Sequence, residues 1–176
     1  MRKKIFVAIL WILFLLLSIK YWYVSVVVLL AMISLWIYTS RNDSKRHKVM
    51  FKGKCTDYDE LDGYEFEEFI AEILKYNGFA DVEVTKSSGD KGVDVIAFFE
   101  DEMYVIQCKR YEGKIGNSAV QEIYAGRDFY DAEYAVVCTN SSFTKSAKEM
   151  AEKLDVLLWD RSDLDELIDE ALKNMK

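Results

Sequence analysis

Apolar residues follow two regimes along this chain. From Ile5 to Tyr38 they run almost without a break, and Lys20 is the only charge. From Leu61 onward they come in short periodic pieces. Phe66, Phe69, Ile70, Ile73 and Leu74 recur at i, i+3, i+4, i+7 and i+8, which predicts an amphipathic helix over about 61–77. Asp59 or Asp62 is its candidate cap and Gly78 its stop. Phe79–Thr85 reads as a short strand, with Val82 and Val84 alternating. The Ser- and Gly-rich stretch from Lys86 to Asp94 reads as a loop. Val93–Phe99 and Met103–Lys109 read as antiparallel strands joined by a polar turn at Glu100-Asp101-Glu102. Asn117–Tyr130 predicts a helix with Val120, Ile123 and Tyr124 inward. Tyr134–Thr139 is an apolar strand expected to be covered on both faces. Thr144–Leu154 then reads as a helix, Val156–Trp159 as a strand, and Ser162 to about Met175 as the last helix. The order αβββαβαβα predicts an α/β domain, a mixed β-sheet flanked by helices.

The first apolar run is too long for one membrane span of about 20 residues and short for two. We expect two transmembrane helices, Ile5–Ile19 and Tyr23–Tyr38, with a tight turn at Lys20-Tyr21-Trp22. Arg2, Lys3 and Lys4 precede the first, and Arg41, Lys45, Arg46 and Lys48 follow the second. Basic flanks favour the cytoplasm, and an even number of spans places both there. One long tilted helix would strand one basic cluster outside. A signal peptide is disfavoured, because the run is too long and no small-x-small cleavage site follows it. The expected organisation is a transmembrane hairpin over 1–40, a basic juxtamembrane linker over 41–57, and a folded domain over 58–176. Anionic lipid would attract the linker by about 1 kcal/mol per basic residue.

Charge changes the picture of the folded part. Residues 1–40 hold four of the 23 Lys and Arg and none of the 30 Asp and Glu, so the remainder carries 19 against 30, a net −11. That argues against a broad phosphate-binding surface and leaves room only for a local basic patch. The three cysteines, Cys55, Cys108 and Cys138, are odd in number and widely spaced, which suits reduced thiols better than a disulfide framework or a zinc site. The single histidine, His47, sits in the linker, so a His-based triad or a multi-His metal site has no residues to use.

Four polar residues stand where packing does not call for them. Asp94 opens an apolar strand. Gln107 and Lys109 are two apart on the next strand and so share a face. Glu67 lies at the edge of the first helix's apolar stripe, and Glu65 flanks the other edge. A hairpin centred on Glu100–Glu102 sets Asp94 opposite Lys109 to within one residue. Two carboxylates, an amide oxygen and a lysine suit metal-assisted phosphodiester hydrolysis. Hard cations such as Mg²⁺ take oxygen ligands, stabilise phosphoryl charge and acidify water. An ammonium can orient that water. Taken singly, each residue also has an ordinary reading: a strand start, a solvated strand face, a surface helix acid.

Gly63-Tyr-Glu-Phe-Glu67, Ser88-Gly-Asp-Lys-Gly-Val-Asp94, Gln107-Cys-Lys109 and Val136-Val-Cys-Thr-Asn-Ser-Ser-Phe-Thr-Lys-Ser-Ala147, in that order, resemble the Mrr-type restriction endonuclease domains of the PD-(D/E)xK superfamily. The resemblance spans about 61–168. It implies a restriction-endonuclease-like fold with an αβββαβ core and type IV-like cleavage of DNA dependent on Mg²⁺ or Mn²⁺. Carried over by position, Asp94 is the metal-binding aspartate, Lys109 the motif lysine and Glu67 the helix acid. Gln107 stands where most of the superfamily has an acid, so Glu67 must supply the second negative charge. The proline of the superfamily motif is absent, and Val93 precedes Asp94. Lys86, Asp90, Lys91, Arg110 and Lys114 are loop charges near these motifs, and Gln121 is at the rim; all six are candidate DNA contacts. The resulting expectation is a membrane-anchored DNA endonuclease of prokaryotic defence, on the cytoplasmic side, with a homodimer suited to a double-strand cut. The alternative is a non-catalytic module that binds nucleic acid or recruits protein at the membrane, which the acidic balance and the neutral Gln107 motivate.

Overall fold

The computed structural model describes residues 21–22, 26–27, 29–38, 50–85 and 91–175. Contacts divide the chain into two units, Met1–His47 and Lys48–Lys176. In the first unit every described residue is helical. Tyr21 and Trp22 are helical where the sequence pattern suggested a turn; that stretch has no Gly, Pro or Asn to break a helix. Leu29, Leu30, Met32, Leu35 and Trp36 are exposed. The expected first span, Ile5–Ile19, and residues 41–49 lie outside the described residues. Among the described residues, no helix is long and apolar enough to cross a membrane.

The second unit opens with a helix over 50–56 (α1) and a 3₁₀ turn at Tyr58–Glu60. It continues as α2 (Gly63–Tyr76), β1 (Ala80–Val84), β2 (Val95–Phe99), β3 (Glu102–Lys109), α3 (Asn117–Tyr130), β4 (Tyr134–Thr139), α4 (Lys145–Leu154), β5 (Val156–Trp159) and α5 (Arg161–Asn174). The five strands form one sheet in the order β1-β2-β3-β4-β5. The pairs β1–β2 and β2–β3 are antiparallel, while β3–β4 and β4–β5 are parallel. This is the mixed, helix-flanked α/β sheet that the pattern predicts, with β3 shared by its antiparallel and parallel halves.

Local chemistry sets the boundaries. Asp62 caps α2 in a capping box: the Glu65 N–H donates to Asp62 Oδ1 at 2.8 Å, and the Asp62 N–H donates to Glu65 Oε2 at 3.0 Å. Glu65 is therefore committed to the helix end. Between β2 and β3, Glu100 and Asp101 both take left-handed φ, +51° and +67°, the signature of a two-residue type I′ hairpin turn. The turn is one residue shorter than the pattern suggested, because Glu102 pairs with Phe99 inside the ladder. The register then runs Val95↔Ile106 and Ile96↔Val105. The position facing Asp94 is consequently that of Gln107, not Lys109, a correction that follows from the tighter turn.

Alternation along β3 sends side chains to two cores. On one face, Ile106, Cys108, Val95, Val136 and Cys138 join Phe66, Phe69, Ile70, Ile73 and Leu74 of α2 and Leu164 and Ile168 of α5. On the other, Val105, Ala135 and Val137 join Ala119, Val120 and Ile123 of α3 and Ala147 and Ala151 of α4. The start of the domain is earlier than the expected residue 58. Phe51 is 1% exposed, and its ring lies 5.8 Å from that of Phe69 and 5.0 Å from that of Tyr76. A single aromatic among basic residues makes no periodic pattern, so only the packing shows that 50–56 belongs to the core.

Candidate active site

Asp94, Gln107 and Lys109 lie where β2 begins and β3 ends. Asp94 directly precedes β2. Its backbone N–H donates to the Ile106 carbonyl at 2.9 Å, and its Oδ2 accepts the N–H of Cys108 at 2.7 Å. The carboxylate thus fastens the end of one strand to the other. From the β1 side, the Thr85 N–H reaches the Asp94 carbonyl at 2.9 Å, and Thr85 Oγ1 donates to the Val93 carbonyl at 2.6 Å.

Gln107 is 1% exposed, and its Nε2 donates to Glu122 Oε2 at 2.7 Å. Lys109 Nζ lies 3.6 Å from the same Glu122 oxygen. Glu122 stands in the second turn of α3, and the sequence reading passed over it for its neighbour Gln121. Ala119, Val120, Ile123 and Gly126 form the buried stripe of α3. At about 100° per residue, Glu122 lies roughly 90° from the centre of that stripe, at its edge, where Gln107 meets it. Gln121 lies nearly opposite the stripe, in a groove with Met150 and Lys153. An acid one helical step from a predicted glutamine, three residues after Ala119, was the available signal.

The Glu122 contact decides how the Gln107 amide is turned. An ionised carboxylate only accepts hydrogen bonds, so the amide nitrogen must face it. The oxygen then points elsewhere: Gln107 Oε1 is buried and has no hydrogen-bond partner among the described residues. Burying an unpaired acceptor costs about 1–3 kcal/mol, which a cation or a donor at that atom would offset. The constellation is tightly built. Gly92 has φ +79°, and a Cβ there would sit 3.1 Å from both Gln107 Nε2 and Glu122 Cβ. At Gly126, a Cβ would sit 2.6 Å from Val93 Cγ2 and 3.2 Å from the Lys91 carbonyl oxygen.

Glu67 is half-buried on α2. Burial, first of all, pushes the Cys108 thiol well up; Cys138 adds to this, then the negative charges of Asp94 and Glu67, with Lys109 opposing. The chain leaving β3 is held in place beyond Lys109. Thr139 Oγ1 donates to the Lys109 carbonyl at 2.6 Å, and Asn140 Oδ1 accepts the Tyr111 N–H at 2.8 Å. Arg110, a candidate DNA contact, donates instead to the Asp59 carbonyl. Lys91 lies 5.8 Å from the Phe129 ring centroid, and Lys114 is exposed. Lys86 and Asp90 lie outside the described residues.

The donors suit a hard divalent cation. The Asp94 carboxylate and the Gln107 amide oxygen are the oxygen ligands that Mg²⁺ takes while keeping several waters. Among the described residues, no three His, Cys, Asp or Glu side chains cluster closely enough to hold an ion unaided. The amide oxygen therefore matters as much as a third acid would, and the set fits a hydrated ion better than a closed protein cage.

Residues 58–168 match the family Mrr_cat, described as restriction endonuclease. This chain belongs to the Mrr-type restriction endonuclease family. The match covers Glu67 on α2, Asp94 just before β2, Gln107 and Lys109 on β3, and Glu122 on α3. The type IV methyl-directed restriction enzyme EcoKMrr of Escherichia coli (strain K12) is 26% identical over 97 residues, 51% of this chain and 32% of that protein. The chain thus spans about a third of the length of this relative. Among solved structures, a protein of unknown function, AF1548, is similar with a TM-score of 0.50 and 22% identity, over 57% of this chain and 59% of that one. The DNA modification-dependent restriction endonuclease AspBHI is similar with a TM-score of 0.48 and 15% identity, over 73% of this chain and 38% of that one.

Proposed function

We propose that this Mrr-type domain is a DNA endonuclease dependent on Mg²⁺ or Mn²⁺, held at the cytoplasmic face of a prokaryotic membrane by an N-terminal hairpin. The observation that carries the reading is the buried Gln107 amide, its oxygen unpaired, beside Asp94 and Lys109. A cation bound there would supply phosphoryl charge stabilisation and an acidified water. Asp94 and Gln107 Oε1 would hold it, with Glu67 supplying the second negative charge. Lys109 keeps an ammonium at the mouth of the site, where it orients the attacking water and stabilises developing negative charge. Asp94, through Cys108 N–H, keeps β2 and β3 in register so that these groups stay aligned. The apolar run with Lys20 as its single charge, set between basic flanks, and the exposed apolar side chains over 29–38 support the hairpin. A double-strand cut with one site per chain favours a homodimer. The methyl-directed relative suggests modified DNA as the substrate class.

A non-catalytic, nucleic-acid-binding or protein-recruiting module is the second reading, favoured by the net −11 outside residues 1–40. One experiment separates them. The detergent-solubilised full chain is incubated with methylated and unmethylated plasmid in Mg²⁺ or Mn²⁺, with and without chelator. Wild type is expected to cut, and Asp94→Ala and Lys109→Ala are expected to lose cleavage. Cutting by both variants at the wild-type rate would sink the nuclease site; metal-independent binding without cutting would favour the module.

A further inference from the structure

We infer that Glu122 is a positioning residue of the site: its carboxylate turns the Gln107 amide so that Oε1, and not Nε2, is presented to the metal. The inference rests on the metal-dependent reading above. Its foundation is geometric. A neutral glutamine in a ligand position has two nearly isosteric ends, one that ligates a cation and one that repels it. Nothing within the residue chooses between them. At Gln107 the choice is made by a bond of 2.7 Å from Nε2 to an acceptor-only carboxylate. The same Glu122 oxygen lies 3.6 Å from Lys109 Nζ, so one side chain orients the amide ligand and steadies the ammonium.

The alternative account is a surface ion pair. With side-chain exposures of 39% and 51%, the Lys109–Glu122 pair alone would contribute little. That account leaves two facts unexplained. Gln107 is 1% exposed, with an orphaned oxygen. Gly92 and Gly126 bring the Lys91–Val93 segment and α3 so close that a Cβ at Gly92 would press on Gln107 and Glu122 together. The packing is arranged around the amide–carboxylate contact, and Lys109 borrows from it. Partners of this kind, one bond removed from a metal, typically change its affinity about 10–100-fold when altered.

The test reads metal binding without DNA. Free Mn²⁺ is followed by electron paramagnetic resonance as it is titrated into the full chain in detergent. Glu122→Gln keeps size and shape but offers both a donor and an acceptor, so the Gln107 amide loses its fixed direction. Its Mn²⁺ affinity is expected to fall about 10–100-fold, with the metal-free melting temperature unchanged. Adding Gln107→Glu to Glu122→Gln reverses the polarity of the same bond: position 107 now accepts and position 122 donates. That double variant is expected to regain most of the lost affinity. Wild-type affinity in Glu122→Gln overturns the inference and leaves the nuclease reading standing, as does a double variant no better than Glu122→Gln. Absence of Mn²⁺ binding by wild type overturns both.

Discussion

Gly126→Ala isolates the contact that seats α3 against the site. In an unobstructed helix interior, replacing Gly with Ala stabilises by about 1 kcal/mol. Here the new Cβ would lie 2.6 Å from Val93 Cγ2, on a residue that is 0% exposed, and 3.2 Å from the Lys91 carbonyl oxygen. A branched, fully buried side chain has no free rotamer to move into, so the overpacking cost falls toward the upper part of its usual range of about 1–3 kcal/mol. The net expectation is a loss of about 1–2 kcal/mol, which lowers the melting temperature by roughly 2–8 °C. Circular dichroism during heating or urea unfolding of the full chain reads it. Ala125→Gly, exposed on the same turn, is the control: it should lose only the helix-propensity difference of about 1 kcal/mol. Gly126→Ala should also weaken Mn²⁺ binding, because α3 must withdraw and carry Glu122 from Gln107, whereas Ala125→Gly should not. A Gly126→Ala protein more stable than wild type would refute the reasoning.

Phe51→Ala should cost about 3–5 kcal/mol, the usual loss for a buried phenylalanine; a change below about 0.5 kcal/mol in urea unfolding would return residues 50–56 to the status of a linker. The Arg161 guanidinium, donating to Asp59 at 2.6 and 2.7 Å, holds that carboxyl below its ordinary value, burial works against it, and Asn140 adds to the lowering. A depressed folded value means that the contribution is complete above the unfolded value near 3.8 and is lost as pH falls through the folded one. The stability gap between wild type and Asp59→Asn should therefore persist at neutral pH and close in stronger acid; a gap independent of pH would exclude the ion pair as its source. Burial raises the Cys55 thiol to about 11, and Cys108 and Cys138 are buried and also raised. Thiol reagents at neutral pH should leave all three slow in the native protein and label them on unfolding, and rapid native labelling of Cys108 would contradict the packing around it.

The sequence by itself determined the elements and the kind of chemistry. Asn117–Tyr130, Tyr134–Thr139 and Val156–Trp159 coincide with their predicted limits because each apolar run is bounded by residues that change the backbone's options, such as Gly116, Asp131 and Asp155. Asp94, Gln107 and Lys109 stood out because strand positions among Val and Ile rarely hold them without cause. Only the tertiary structure decided their arrangement. The facing of Asp94 and Gln107 depended on whether the hairpin turn used two residues or three, and Glu100 and Asp101 in left-handed backbone settled it at two. The membership of Phe51 in the core depended on rings about 20 positions away in the chain. The choice of Glu122 over Gln121 depended on the rotation of α3 about its own axis, set by Gly126 against Val93. Periodicity judged from Val120, Ile123 and Tyr124 sets Gln121 nearer the inward stripe than Glu122; burial of Ala119 and Gly126, which only the packing against Val93 dictates, turns the stripe toward Glu122.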